Sequence, residues 1–291
     1  MALDSEFQQG RDNEPTPAIL HLAEDFRRRL GKLDPLQVAI WRQMTPARKL
    51  QLLFQLWSFA LKVAWTTERQ WHPELPQEEL SRRVWRRVHG SEIPMFQPVS
   101  PHELENFFAY VVSVLERLGI PYMVVGGFAA ITYGEIRFTA DVDIVVDMRY
   151  DHVDPFVAAF TIPDYYVSRE GILDSLDRRY PLNVIQPHSG AKVDLVPLSR
   201  DIRTRAAFGR RQRIVYDEVT GRAAYFATAE DTIVAKLHAH QETGSEKHLR
   251  DARGIAVTQW GRLNLDDVTR WARAAGVEET WLALLEAIGG E

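Results

Sequence analysis

Apolar residues recur at steps of three and four from Leu50 through Leu53, Phe54, Trp57 and Leu61 to Ala64, behind the pair Thr45-Pro46. A Thr N-cap, a first-turn proline and a one-sided apolar stripe together predict an amphipathic helix. Leu80, Val84 and Val88, four apart and closed by Gly90, predict a second. Residues 1–18 are polar and acidic with no apolar period, the pattern of a loose tail. Pro94, Pro98 and Pro101 interrupt the chain between this helical block and the strand-bearing region, so a helical accessory domain is expected at 19–92. Ser100 and Glu103 then read as a capping box around Pro101, opening a helix whose buried stripe is Leu104, Phe107, Phe108, Val111, Leu115 and Leu118. Strand-like runs come next at 122–125, 141–146, 182–186, 192–197 and 213–216, separated by helical or loop stretches. Strands interleaved with helices predict an α+β core over 100–226 built on a mixed sheet. From Thr228 the period is helical again, with Ile233 and Leu237, then Val268, Trp271 and Ala275 between an Asn264 cap and a Gly276 stop, giving a helical C-terminal part at 227–291.

Composition removes several kinds of chemistry from consideration. The 291 residues include no Cys, so disulfides, thiolate zinc sites, iron–sulfur clusters and Cys nucleophiles are all excluded. Any metal must be held by oxygen or imidazole. A formal net charge of −5 argues against a surface devoted to nucleic acid. The most apolar stretch, 50–65, is interrupted by Gln51, Gln55, Ser58 and Lys62, so no membrane span is expected. With no signal-peptide pattern at the N-terminus, the expected location is the cytoplasm.

The segment 122–147 carries the candidate chemistry. A short apolar strand runs into Gly126-Gly127 and a helix-compatible FAAITY, so backbone amides at the turn can approach an anion with no side chain in the way. Asp141 and Asp143 are two apart in an apolar strand and therefore share a face, while Val142, Ile144 and Val146 point to the core. A bare pair of this kind also reads as the solvated face of an edge strand. Asp194, in the strand KVDLVPL, adds a third carboxylate opposite apolar Val193 and Leu195. Three strand carboxylates beside a glycine turn suit a two-metal site for phosphoryl chemistry. Arg137 and Lys236 are candidate phosphate ligands. The arginines at 203, 205, 210, 211 and 213, and those at 82, 83, 86 and 87, read as solvated faces. His238 and His240 sit on different helix faces and are not a ligand pair.

These residues resemble the nucleotidyltransferase superfamily of the DNA polymerase β type. Gly126-Gly127, Tyr133-Gly134, Arg137, Thr139, Asp141-Val142-Asp143 and the later Asp194 are similar to its minimal bacterial members, the AbiEii-like toxins and DUF6036-type proteins, and the likeness extends through the helical segments from Ala227 over roughly residues 100–287. The resemblance implies a nucleotidyltransferase core in which Gly126, Gly127, Arg137, Thr139 and Lys236 bind the NTP. Asp141, Asp143 and Asp194 would bind two Mg²⁺ or Mn²⁺ ions and act in catalysis. The acceptor is an undetermined hydroxyl of a protein, an RNA 3′ end or a small molecule. A toxin–antitoxin setting with a cognate toxin or antitoxin partner is consistent with it. The chain departs from many active members at Phe128, where they carry Ser, which leaves open an alternative: a catalytically silent binding module on the same fold.

Overall fold

The computed structural model describes residues 15–89, 102–139, 141–187 and 191–289. In chain order, helices α1 (Pro17–Leu30), α2 (Pro35–Gln43), α3 (Pro46–Trp71), α4 (Gln77–His89) and α5 (His102–Arg117) precede strand β1 (Tyr122–Val125) and helix α6 (Gly126–Tyr133). Strand β2 (Asp141–Val146), helices α7 (Val153–Ala159) and α8 (Arg169–Arg178), and strands β3 (Leu182–Gln186) and β4 (Ala191–Pro197) come next. Helix α9 (Ile202–Arg210), strands β5 (Gln212–Asp217) and β6 (Arg222–Phe226), and helices α10 (Ala229–Thr243), α11 (Glu246–Thr258), α12 (Leu265–Ala274) and α13 (Glu278–Gly289) follow among the described residues. The class is α+β. No helix among the described residues is long and apolar enough to cross a membrane.

The elements group into two units. One comprises Pro46–Phe128 and Arg137–Phe226 and holds a six-stranded sheet in the order β3-β4-β2-β1-β6-β5. β2 runs parallel to β4 and β1 parallel to β6, and the other neighbours are antiparallel, so the sheet is mixed. Along β4 burial alternates strictly: Val193 and Leu195 are fully buried, and Lys192 and Asp194 turn to the opposite, partly open face. Helix α3 buries Leu53, Phe54, Trp57 and Leu61 and packs on β5, with the Phe54 ring 5.9 Å from that of Phe128.

The other unit comprises Met1–Thr45, Ala129–Ile136 and Ala227–Glu291. Its core joins Ala23, Phe26, Leu30, Val38 and Trp41 of α1 and α2 to Leu237, Leu249, Ile255, Val268, Trp281 and Leu284. Arginines tie the N-terminal helices to carbonyls that no intrahelical donor reaches or that lie near helix ends. Arg27 donates to Glu286 O at 2.5 Å and Ala287 O at 3.3 Å, Arg253 to Gly31 O at 2.6 Å and Leu30 O at 3.2 Å, and Arg42 to Val257 O at 2.8 Å.

The expected accessory domain at 19–92 is therefore divided, with α1 and α2 in the unit of the C-terminal helices and α3 and α4 in that of the sheet. The cause is burial of Phe26, Val38 and Trp41 against partners more than 200 residues away in the chain, a contact that local periodicity does not announce. The tail expected at 1–18 overlaps the start of α1, where Thr16 Oγ1 accepts from Ile19 N, and residues 1–14 lie outside the described residues. The proline-marked boundary at 90–101, with Ser100 and Pro101 of the expected capping box, also lies outside them.

Candidate active site

Strand pairing assembles the carboxylates. The antiparallel β1–β2 ladder sets Val125 opposite Asp143, so Gly126, the next residue, reaches the end of the strand beside that carboxylate. Gly126 has φ +64, and a Cβ there would stand 2.0 Å from Asp143 Oδ2, so only glycine leaves room for the side chain. The parallel β2–β4 ladder sets Asp141 opposite Lys192 and Asp143 opposite Asp194. Neighbouring strands lie about 4.8 Å apart, and residues in register share a face, so all four side chains emerge from one patch of sheet.

Lys192 is the residue that the carboxylate pattern alone does not reveal. Its ammonium donates to Asp194 Oδ2 at 3.0 Å and lies 3.2 Å from Asp141 Oδ1. The other Asp194 oxygen, Oδ1, is buried with no hydrogen-bond partner. Burial pushes the Asp194 carboxyl above its usual range, and although Lys192 pulls it down, the charge of Asp141 adds to the rise. For Lys192, burial acts to lower the pKa, and the bonds and charges of Asp194 and Asp141 outweigh it, so the ammonium is held charged. The two directions agree: one cation divided between two carboxylates does not fully offset their repulsion and burial. A strand period of two places Lys192 on the Asp194 face, the signal by which the sequence could have shown it.

The glycine turn borders this patch. A Cβ on Gly127 would meet Thr139 Oγ1 at 2.8 Å, so buried Thr139 packs directly against the turn. Phe128 is fully buried, its ring 5.6 Å from Phe108, and its side chain serves the core. The first turn of α6 thus offers a ligand its backbone amides, which have no acceptor within the helix. Arg137 donates to Phe138 O at 2.9 Å.

Other residues singled out in the sequence belong to the second unit. Tyr133 donates to Ala227 O at 2.8 Å, and burial pushes its hydroxyl pKa up. A Cβ on Gly134 would meet Ile255 N at 2.9 Å, so α11 packs close against that glycine. Lys236 forms an ion pair with Asp251 at 2.8 Å, both buried. His238 faces Glu242 at 3.5 Å, and His240 Nδ1 is 2.9 Å from Ser245 O. In the sheet unit, the arginine-rich faces are partly committed to packing. Arg211 lies over the rings of Phe208 and Tyr225, and Arg87 pairs with buried Glu68 at 3.1 Å.

No protein-family model matches the chain, and a search among curated proteins finds no match. Solved structures give partial likenesses. ANT(2″)-Ia in complex with adenylyl-2″-tobramycin is 16% identical over 61% of this chain and 95% of that one, with a TM-score of 0.40. An antigenic nucleotidyltransferase-like protein from Paracoccidioides brasiliensis is 18% identical over 66% and 95% of the two chains, with a TM-score of 0.36. JHP933 from Helicobacter pylori is 16% identical over 64% and 88%, with a TM-score of 0.39. Overlap of this extent carries no weight for the chemistry, which rests on the residues themselves.

The donor set decides what the patch can hold. Carboxylate oxygens are the ligands a hard divalent cation takes, and the Asp141–Asp194 pair already grips a cation, the Lys192 ammonium. The unpartnered Asp194 Oδ1 is a further oxygen able to accept one. Among the described residues no three His, Cys, Asp or Glu side chains are grouped as a metal site in this arrangement. The donor chemistry fits Mg²⁺ or Mn²⁺, and the present spacing fits an ammonium.

Proposed function

We propose that this chain is a metal-dependent nucleotidyltransferase that moves an NMP from an NTP to a hydroxyl acceptor. The observation that carries the reading is the register of β2 and β4, which sets Asp143 opposite Asp194 and Asp141 opposite Lys192 on the face bordered by the Gly126-Gly127 turn. Asp141, Asp143 and Asp194 would hold the divalent ions, which when bound offset phosphate charge and make the acceptor hydroxyl more acidic. The amides of Gly127 and the first turn of α6 donate to phosphate oxygens, since no side chain of Gly126 or Gly127 screens them. Thr139, packed on Gly127, fixes the turn, and Arg137 adds positive charge on the loop leading to β2. The acceptor hydroxyl gives up its proton to solvent, its oxygen attacks the α-phosphorus in line, the bond to the bridging oxygen of the β-phosphate breaks, and pyrophosphate leaves.

Incubation with each α-³²P-labelled NTP, Mg²⁺ or Mn²⁺ and cell extract tests the reading. Label should move to a protein, to an RNA 3′ end or to a small molecule, which also identifies the acceptor class. Asp143→Asn should abolish transfer. A wild-type protein that moves no label with any NTP, or an Asp143→Asn protein as active as wild type, refutes it. The Lys192 ammonium on two of the carboxylates and the buried Phe128 favour a second reading, a silent module that binds nucleotide without turning it over. Saturable NTP binding with no transfer would select that reading.

A further inference from the structure

Lys192 occupies the place between two carboxylates where a cation is needed, and it is covalently part of the chain. Its ammonium stands 3.2 Å from Asp141 Oδ1 and 3.0 Å from Asp194 Oδ2, with its side chain 22% exposed. Its backbone lies in register with Asp141, so the tether keeps it at the site whatever else arrives. Asp141 and Asp194 on one face repel one another, and the chain folds them together with the Lys192 ammonium between them. A divalent ion entering between Asp141 and Asp194 competes with this ammonium for the same place, and Asp194 Oδ1 offers it an oxygen that the ammonium does not hold. The displaced lysine, on a flexible four-carbon stem, can turn to the polyphosphate of a nucleotide bound at the same face.

We propose that Lys192 is an exchangeable internal cation: it holds Asp141 and Asp194 together in the metal-free protein, is displaced when a divalent ion binds them, and then becomes a ligand of the substrate's polyphosphate. The proposal rests on the carboxylate patch being a metal site, as the nucleotidyltransferase reading requires, and it assigns to that site a residue acting before and after metal entry. Metal affinity is consequently set by competition. Lys192 weakens metal binding in the free protein and strengthens binding of the polyphosphate once metal is present, opposite effects that a salt bridge serving only stability would not produce.

The test uses the full chain with Mn²⁺ alone, then with inorganic triphosphate at saturating Mn²⁺. Wild type, Lys192→Met and Lys192→Arg are compared by calorimetric titration and by melting temperature. Lys192→Met should melt below wild type without metal and gain more stability from Mn²⁺ by mass action. Its half-saturating Mn²⁺ concentration should fall about tenfold or more, the size expected for removing charge-assisted hydrogen bonds from two carboxylates. Its affinity for triphosphate at saturating Mn²⁺ should fall by about tenfold as well. Lys192→Arg keeps the charge and should titrate Mn²⁺ like wild type or more weakly. If Lys192→Met fails to fold without metal, Mn²⁺ should restore it, and a protein unfolded at every Mn²⁺ concentration overturns the proposal. So does a half-saturation unchanged or raised in Lys192→Met, or a triphosphate affinity equal to wild type. Tightened Mn²⁺ binding in Lys192→Met together with no nucleotidyl transfer by wild type would leave this exchange standing and refute the enzyme reading alone.

Discussion

Lys236 separates two roles that the sequence leaves merged. Its position in the apolar turn from Ile233 to Leu237 invites a phosphate, yet its ammonium meets Asp251 at 2.8 Å, with both side chains under a tenth exposed and both helices, α10 and α11, in the unit that lacks the carboxylate sheet. Lys236→Met keeps the aliphatic volume and removes the charge, leaving the Asp251 carboxylate buried without its cation. Removing one partner of a buried pair costs about 3–5 kcal/mol. At about 2–4 °C per kcal/mol for a domain of this size, a loss of about 3 kcal/mol lowers the melting temperature by about 6–12 °C. Lys236→Met combined with Asp251→Leu removes both charges and should recover most of that loss, since paired replacement by apolar residues is often neutral. The assays are thermal denaturation of the three proteins and equilibrium binding of ATP at a temperature where all are folded. A Lys236→Met protein melting within about 2 °C of wild type, a shift of under about 1 kcal/mol, while losing ATP affinity would refute the structural role and restore the phosphate ligand.

Gly126→Ala would place a methyl 2.0 Å from Asp143 Oδ2 at φ +64, so the left-handed backbone costs about 1–2 kcal/mol and Asp143 must move; the protein should fold with a lowered melting temperature and lose transferase activity, and unchanged transfer kinetics would contradict the geometry. Asp201 caps α9 by accepting from Thr204 N at 2.9 Å, and that backbone bond holds its carboxyl pKa below the usual value of 3.8. Its contribution is present above the unfolded pKa and is lost as pH falls through the depressed folded value, so Asp201→Ala should cost about 1 kcal/mol at pH 7 and progressively less in acid, read from denaturant melts across pH. A chain beginning at Pro46 lacks Phe26, Leu30, Val38 and Trp41, whose burial is worth about 1.5–3 kcal/mol each, and its C-terminal helices should lose their cooperative melt and become protease-sensitive.

The strands that build the site are legible because they obey one local rule. Val142 and Ile144 on β2, and Val193 and Leu195 on β4, alternate with polar residues, and the buried–exposed pattern of the structure matches that alternation. Lys192 obeys the same rule, but a lysine is no metal ligand, and a search for carboxylate clusters passes over it. Strand β6, RAAYF, has no β-branched residue, and pairing with β1 and β5 on its two sides makes it a strand, a tertiary effect that no local scale contains. Helix α1 carries Ile19, Ala23, Phe26 and Leu30 at helical steps behind a Thr16-Pro17 start, so its existence is readable. Its partner is not, because Arg27 reaches carbonyls 259 and 260 residues away. Phe128 shows the reverse case: as a departure from Ser it looks like a functional loss, and in the structure it is a fully buried ring beside Phe54 and Phe108.

Burial of the carboxylates sets stability against function in a way that Asp194→Asn should expose. Burial is the largest cause raising the Asp194 pKa, and the Lys192 bond does not cancel it, so the ionised side chain is less comfortable in the fold than in the unfolded chain. A carboxyl with a raised folded pKa contributes stability below its unfolded value, 3.8 here, and that stability is lost as pH rises through the folded value. At pH 7 the ionised group is therefore a cost. Asn is nearly isosteric and uncharged, and Lys192 keeps Asp141 as a partner. In metal-free buffer the variant should melt slightly above wild type, by no more than about 1 kcal/mol once solvent screening of this partly exposed group is allowed for. The same substitution should weaken the stabilisation that Mn²⁺ gives and abolish transfer, because the oxygen with no partner, Oδ1, is among the donors removed or neutralised. Melting without and with Mn²⁺ reads both effects in one experiment. A variant less stable than wild type without metal would mean that the Asp194–Lys192 bond outweighs burial, and the carboxylate would then be held for structure and not in readiness for a cation.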